Sequence, residues 1–126
     1  METRVTEWMR QAEYDLETAE YMLQGGRCFY AVFMCHMAVE KALKGLFEAR
    51  LGRVPPKTHN LVYLASQAGV QPEAEVGAFL VRLGEASVPT RYPDSIDRLQ
   101  KEYTHEVAAG IVTQAKAALQ WIKTQL

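Results

Sequence analysis

The seventeen residues from Ala31 to Phe47 constrain the fold of this chain more than any other segment. Their sequence, AVFMCHMAVEKALKGLF, is apolar on nearly every side in its first half and then gives way to an EKALK run with a charged flank. A helix that is apolar around most of its circumference has to be covered by several neighbours. The segment therefore predicts a central helix, from about Cys28 to Arg50, packed among other helices.

Four further segments repeat apolar residues every three or four positions, which is the spacing of an amphipathic helix. The first runs from Arg4 to Gln24 and stops at a glycine pair. A short helix, capped by Thr58 or Asn60, is expected to end at Gly69. The remaining two are a helix with Pro72 in its first turn that lasts to about residue 86, and a closing helix capped by residue 104.

Residues 87–103, SVPTRYPDSIDRLQKEY, contain two prolines and no sustained period. They predict a long irregular connection with room for one helical turn around Ile96. Long connections of this kind inside a compact domain are uncommon and are often functional.

These elements predict an all-α fold, an up-and-down four-helix-type bundle with one additional short helix. No run of alternating apolar and polar residues predicts a sheet. The 126 residues are expected to form a single domain, residues 1–126. A domain of this size buries about two thirds of the surface that its unfolded chain exposes, which is enough for a stable core.

The composition limits the kinds of partner and site that this chain can have. The 14 Lys and Arg residues against 15 Asp and Glu leave a formal net charge of -1, so binding to nucleic acid would need a local basic patch. Cys28 and Cys35 lie outside any CxxC or Cys/His cluster, which argues against a zinc site and a disulfide scaffold. No metal or other cofactor is predicted. Because no segment has the length of a membrane span or the apolar run of a signal peptide, a cytoplasmic protein without a membrane partner is expected.

Tyr14 and Tyr21 lie seven residues apart, off the apolar stripe of the first helix. They leave apolar surface available for another chain. Since two-fold dimers are the commonest oligomers, we expect a homodimer that forms through helical faces.

Several segments, in their order, resemble the HEPN family, a helical domain named for its occurrence in higher eukaryotes and prokaryotes and for proposed nucleotide binding. They are WMRQAEYDLETAEYML, CFYAVFMCHMAVEKALKGLF, PPKTHNLVYL and TRYPD, followed by the closing amphipathic helix. One departure is His36, where the family usually carries Gln. The resemblance implies a dimeric bundle, frequent pairing with a small nucleotidyltransferase and, in some branches, metal-independent ribonuclease activity.

The ribonuclease branches carry an Arg, then a polar residue, and a His four to six residues on, near the start of the closing helix. This chain offers Arg98 and His105, but the apolar Leu99 follows the Arg. In such a site the His would act as general base or acid on a ribose hydroxyl, while the Arg would stabilise charge on the phosphate. The alternative is that both side chains are merely solvated near a helix start.

A second set of residues is expected to gather around a groove that accepts the phosphate of a nucleotide, with one tyrosine as a stacking surface. These candidate ligand-binding residues are Lys41, Lys44, His59, Arg91, Tyr92 and Asp94. Each has a structural alternative: the lysines can form a solvated flank, His59 can order its loop, and Asp94 can cap the next turn.

The leading hypothesis from the sequence is a non-catalytic binding module that partners a nucleotidyltransferase and holds a nucleotide. The alternative is a ribonuclease toxin of a toxin-antitoxin pair, acting on RNA through Arg98 and His105. A purely structural dimer without a small ligand is a third hypothesis. The sequence identifies neither the nucleotide nor the dimer surface.

Overall fold

In the computed structural model, residues 3–126 form six helices and no strand. The helices are α1 (Thr3–Gln24), α2 (Cys28–Leu51), α3 (Leu61–Gln67), α4 (Ala74–Arg91), α5 (Ile96–Glu102) and α6 (His105–Gln125). The long helices α1, α2, α4 and α6 make up the bundle, and α3 and α5 are short connections between them. The prediction of an all-α, up-and-down bundle is confirmed.

Helix α2 lies at the centre of the bundle, as its sequence predicts. It contacts each of the other five helices. Val32, Val39 and Leu43 on α2 are completely buried, within one hydrophobic core to which all the long helices contribute. The helix ends at Gly52, whose left-handed backbone (φ 66°) allows its N–H to bond the Glu48 carbonyl.

Side-chain caps fix where three of the helices begin. Asn60 accepts a hydrogen bond from the Tyr63 N–H at 2.9 Å, at the start of α3. Thr104 caps α6, as predicted, and Ser95 caps α5; each side chain accepts a hydrogen bond from a backbone N–H in the first turn. Such caps satisfy first-turn N–H groups that have no partner inside the helix.

The prediction of a long irregular connection over residues 87–103 is wrong for most of its length. Helix α4 continues to Arg91 and includes Pro89, and the expected single turn at Ile96 is a seven-residue helix, α5. The inner face of α4 continues through Ser87 and Thr90, which are 7% and 1% exposed. Because Ser87 and Thr90 are polar, the apolar pattern in the sequence ends before the helix does.

The start of α4 also differs from the prediction. Pro72 precedes the helix instead of lying in its first turn, since α4 begins at Ala74 after Glu73. Within residues 3–126, no helix combines the length and the apolar character needed to cross a lipid bilayer.

Candidate binding surface on the central helix

One edge of α2 is left partly open by the surrounding helices. Its half-buried residues follow one another at steps of one, three and four, so they form a continuous band along the helix. We call this band the outer strip; it consists of Phe33, Met34, Met37, Lys41 and Lys44. Its first half is aromatic and methionine-rich, and its second half carries two positive charges.

Glu40 lies beside the outer strip and is only 3% exposed. Its Oε2 atom accepts a hydrogen bond from Lys44 Nζ at 3.0 Å, and its Oε1 atom lies 2.8 Å from His59 Nδ1. A buried carboxylate is costly unless it is paired and hydrogen-bonded. The two contacts meet that need, and they fasten the loop between α2 and α3 to the central helix.

The His36 ring is completely buried and supports the same loop. Its Nε2 atom lies 3.1 Å from the His59 carbonyl oxygen, which can only accept, so Nε2 carries the hydrogen. Burial lowers the pKa of His36, although Glu40 and the His59 carbonyl oppose the shift; Arg91 and the His59 ring lower it further. In the neutral ring Nδ1 is then a bare acceptor, 3.7 Å from Glu40 Oε1, which explains why it has no hydrogen bond.

His59 presents the other side of its imidazole to the surface. Since Nδ1 donates to the Glu40 carboxylate, Nε2 is the nitrogen left for a ligand. The His59 side chain is 59% exposed. A buried carboxylate that fixes the orientation of an exposed imidazole is an arrangement used in binding and catalytic sites.

Arg91, the last residue of α4, packs on the middle of the outer strip. Its guanidinium carbon lies 4.9 Å from the centre of the Phe33 ring, and Nη2 lies 3.7 Å from Met37 Sδ. Met37 and Lys44 are seven residues apart on α2, which corresponds to about 10 Å along the helix axis. Arg91 and Lys44 thus place positive charge at the middle and at one end of the strip, with Glu40 and His59 alongside.

Lys41 belongs to the outer strip but has a different ion-pair partner from Lys44. Lys41 Nζ lies 2.9 Å from Asp15 Oδ2, so this lysine ties α2 to α1. Tyr92 and Asp94 are exposed and line a neighbouring small cleft together with Arg98.

Of the six predicted ligand-binding residues, Lys44 and His59 are therefore joined through Glu40. Arg91 packs on the outer strip, to which Lys44 also belongs. The sequence predicts the pairing of Glu40 with Lys44 and a buried, hydrogen-bonded His36, but it does not predict that both Glu40 and His36 contact His59. The sequence indicates a buried, paired Glu40 because this carboxylate lies four residues before Lys44 in a segment that has to be buried.

Arg98 and His105 are not brought into one cleft. Arg98 Nε lies 3.0 Å from Glu102 Oε1 on the next turn of α5. His105 is the first residue of α6 and lines a different cleft, near Arg27 and Tyr103. The catalytic assignment of Arg98 and His105 stays a prediction.

Two histidines and a carboxylate are residue types that bind zinc, so the His36, Glu40 and His59 cluster invites comparison with a metal site. Glu40 already accepts from both His59 and Lys44. Among residues 3–126, no three His, Cys, Asp or Glu side chains are grouped in a way that could hold a metal ion. The contacts that define the cluster are hydrogen bonds and ion pairs.

Comparison with known proteins identifies the fold. The family model for the HEPN domain matches residues 5–125. The crystal structure of TT1696 from Thermus thermophilus is 29% identical, covers 99% of this chain and all of its own, and superposes with a TM-score of 0.87. ST0689, an archaeal HEPN homologue, is 32% identical over 98% of both chains, with a TM-score of 0.78. No functionally curated protein matches the sequence. Because the family model spans nearly all of the sequence and the helices follow those of a HEPN homologue, this chain belongs to the HEPN domain family.

Proposed function

We propose that this protein is a non-catalytic binding module that forms a homodimer and binds a small nucleotidyltransferase, with a nucleotide phosphate held beside the outer strip. The observation that carries the proposal is the outer strip itself: the most central helix of the bundle keeps one edge open. The partnership follows from the family resemblance, and the strip is the surface that fits it.

The composition of the outer strip suits a protein partner. Aromatic residues, Met and Arg are enriched at protein interfaces, and methionine side chains adapt their shape to a partner. The strip offers Phe33, Met34 and Met37, and Arg91 lies on Phe33 and Met37. The homodimer is proposed to use a separate surface, the outward face of α1 that carries Tyr14 and Tyr21.

The groups for a nucleotide phosphate are Arg91 and His59. The charge of Lys44 is already neutralised by Glu40, whereas Arg91 contacts an aromatic ring and a sulfur atom. An Arg guanidinium can bind phosphate oxygens through two parallel hydrogen bonds. The exposed Tyr92, next in the chain, supplies a ring on which a base can stack.

Co-expression with the minimal nucleotidyltransferase from the same genome tests the partnership. The two proteins should elute together in size-exclusion chromatography, and Met37→Glu should abolish the complex because it places a charge in the middle of the strip. Val107→Glu, on an exposed part of α6, is the matched control and should leave the complex intact. Failure of the wild-type proteins to co-elute would contradict the proposed partnership.

Calorimetric titration with ATP tests the nucleotide. Wild-type protein should bind, and Arg91→Ala should weaken binding at least tenfold through loss of a charge-assisted hydrogen bond. A complex with the transferase but no heat with nucleotides would support a purely structural dimer instead.

The ribonuclease alternative makes an opposite prediction for His105. Under the binding-module proposal, neither the wild-type protein nor His105→Ala cleaves RNA or arrests growth on expression. RNA cleavage by the wild-type protein that is lost in His105→Ala would favour the toxin.

A further inference from the structure

A cleft opens between the start of α3 and the second half of α4, and no residue of the outer strip lines it. Its volume is about 440 Å³. We call it the α3–α4 cleft; the lining residues that matter here are His59, Val62, Val81, Gly84, Ser87 and Val88. Pockets for small molecules have volumes upwards of about 300 Å³, so the cleft can hold a small ligand.

Two polar groups in the α3–α4 cleft are left without a partner by the fold. His59 uses Nδ1 for Glu40, and its Nε2 makes no hydrogen bond to any residue between 3 and 126. Ser87 is only 7% exposed, and within the same range its hydroxyl makes no hydrogen bond either. This hydroxyl is not enclosed, and it opens onto the cleft that Ser87 lines. A nearly buried hydroxyl costs free energy unless something in the cleft pairs with it.

The two groups have complementary hydrogen-bonding roles. Because Nδ1 of His59 donates to Glu40, Nε2 of the neutral ring is an acceptor. The Ser87 hydroxyl has one hydrogen to donate. A single hydroxyl group of a ligand can therefore donate to Nε2 and accept from Ser87. An ionised carboxylate has no hydrogen for Nε2, and an ammonium ion has no lone pair for the Ser87 hydrogen.

The charge around the cleft disfavours an anionic ligand. Among the described residues no Lys or Arg lines the cleft, and Glu85 brings a negative charge to it. Glu85 is exposed and lies two residues from Ser87, so the two side chains point to different sides of α4. A cation held at Ser87 would therefore lack this counter-charge. An uncharged polar group fits His59 and Ser87 best.

The rest of the cleft is aliphatic. Val62 on α3 and Val81 and Val88 on α4 are 48%, 51% and 67% exposed. Gly84 lies between the two α4 valines on the same face of the helix, and a Cβ atom there would meet nothing within 4 Å. Among the residues that the structure describes, no aromatic side chain lines the cleft. An aliphatic ligand over Gly84 would cover the three valines and remove their surface from water.

We propose that the α3–α4 cleft binds an uncharged aliphatic alcohol. The ligand hydroxyl donates to His59 Nε2 and accepts from Ser87, and the aliphatic body covers Val62, Val81 and Val88. The site does not depend on the proposed transferase partnership. Because His59 has one free nitrogen, the alcohol and the nucleotide phosphate proposed above exclude each other at this residue.

An NMR titration of the ¹⁵N-labelled full chain with cyclohexylmethanol tests the proposal. The amide signals of residues 59–62 and 81–88 should shift. Cyclohexylmethanol should bind about threefold or more tightly than its methyl ether, which keeps the aliphatic body but cannot donate a hydrogen bond. It should also bind more tightly than cyclohexylmethylamine and cyclohexanecarboxylate. Ser87→Ala should weaken binding about threefold or more, because one hydrogen bond is lost.

Gly84→Leu provides an independent variant that leaves His59 and Ser87 unchanged. The added side chain should occupy the open floor of the cleft and prevent binding, and the protein should still fold because Cβ itself meets no neighbour. The matched control is Gly110→Leu, which adds the same side chain at an open position on α6 and should bind as the wild type does.

Equal binding by the wild type, Ser87→Ala and Gly84→Leu would overturn the proposal, and so would the absence of any shift in the two segments. Equal affinity for the methyl ether would overturn the role of the ligand hydroxyl. Tighter binding of the amine or the carboxylate would overturn the uncharged class. ATP binding without cyclohexylmethanol binding would contradict this inference alone, whereas the reverse result would contradict only the nucleotide part of the proposed function.

Discussion

Glu40 uses each of its two oxygens for a different partner, Lys44 for one and His59 for the other. Replacing Glu40 with Gln keeps the shape but leaves the largely buried Lys44 ammonium without its counter-charge. We expect Glu40→Gln to lower the free energy of unfolding by about 2 kcal/mol, the range for loss of a charged hydrogen-bond partner in the interior. Urea denaturation at neutral pH measures the change.

Glu102→Gln is the control for that experiment. Glu102 also pairs with a cation, Arg98, but both side chains are about half exposed or more. An exposed pair of this kind contributes at most a few tenths of a kcal/mol, so the control should change stability by less than about 0.5 kcal/mol. If both variants lose the same free energy of unfolding, the buried ion pair of Glu40 is no more stabilising than the exposed pair of Glu102.

His36 makes the stability of the protein depend on pH. Its pKa in the folded protein lies below the ordinary value of 6.5 because burial disfavours the charged ring, and Arg91 and the His59 ring add to this against the opposing charge of Glu40. Below pH 6.5 the unfolded chain takes up a proton at this position while the folded protein still resists it, so stability falls as the pH falls.

The expected result is a larger loss of unfolding free energy between about pH 7.5 and about pH 5.5 for the wild type than for His36→Gln. Gln can still donate to the His59 carbonyl but does not titrate. Because every other ionisable group is common to both proteins, the difference between the two curves isolates His36. Parallel curves would show that His36 is not the titrating group.

The candidate site could be predicted from the sequence only in part, for reasons visible at single residues. The pairing of Glu40 with Lys44 follows from their spacing on one helix, whereas the contact between Glu40 and His59 does not, because the two residues lie on different elements. Lys41 could not be assigned, because nothing in the sequence shows that Asp15 on α1 would lie 2.9 Å from it. Contacts between helices depend on their rotation about their axes, and spacing within one helix does not determine that rotation.

At the scale of elements, Gly45 sets how closely α1 and α2 approach. A Cβ atom at this position would lie 2.9 Å from Trp8 Cβ and 2.8 Å from Met9 Cε. Met9 can move its end, but Trp8 is held by its indole hydrogen bond to Glu48. We therefore expect Gly45→Ala to destabilise the protein by about 1–3 kcal/mol through overpacking.

Gly110 on α6 offers the matched opposite case. It is exposed, and a Cβ atom there would meet nothing within 4 Å. Gly110→Ala should stabilise the protein by up to about 1 kcal/mol, since alanine loses less backbone freedom than glycine when a helix forms. Thermal or urea unfolding of the two variants checks the pair; a stabilising Gly45→Ala would mean that α1 can shift to admit the methyl group.

The helices themselves could be predicted where apolar residues mark the buried face. Helix α2 is the clearest case, because a segment that is apolar all round has to lie at the centre of a bundle. The end of α4 could not be found in this way: Ser87 and Thr90 are buried, and Thr90 satisfies its hydroxyl by donating to the Ala86 carbonyl at 2.7 Å. Pro89 also indicated a helix break, yet near the end of a helix it removes only one backbone hydrogen bond.

At the scale of the whole molecule, the outward face of α1 is the surface that we expect to join two copies. Tyr14 and Tyr21 are 71% and 76% exposed and lie seven residues, about two turns, apart on the side opposite the buried residues of this helix. A net charge of -1 gives little repulsion between copies. Light scattering coupled to size-exclusion chromatography should give the wild type twice the monomer mass of 14.2 kDa.

The double variant Tyr14→Glu, Tyr21→Glu should elute as a monomer, because each two-fold interface would then bury four new carboxylates without partners. Tyr63→Glu, on the exposed side of α3, adds the same kind of charge outside the proposed interface and should remain dimeric. Near-native thermal unfolding of both variants would show that the charges act on association and not on the fold. A dimer that survives both changes on α1 would place the interface elsewhere, and a monomeric wild type would remove self-association from the proposed function while leaving the outer strip free for the transferase.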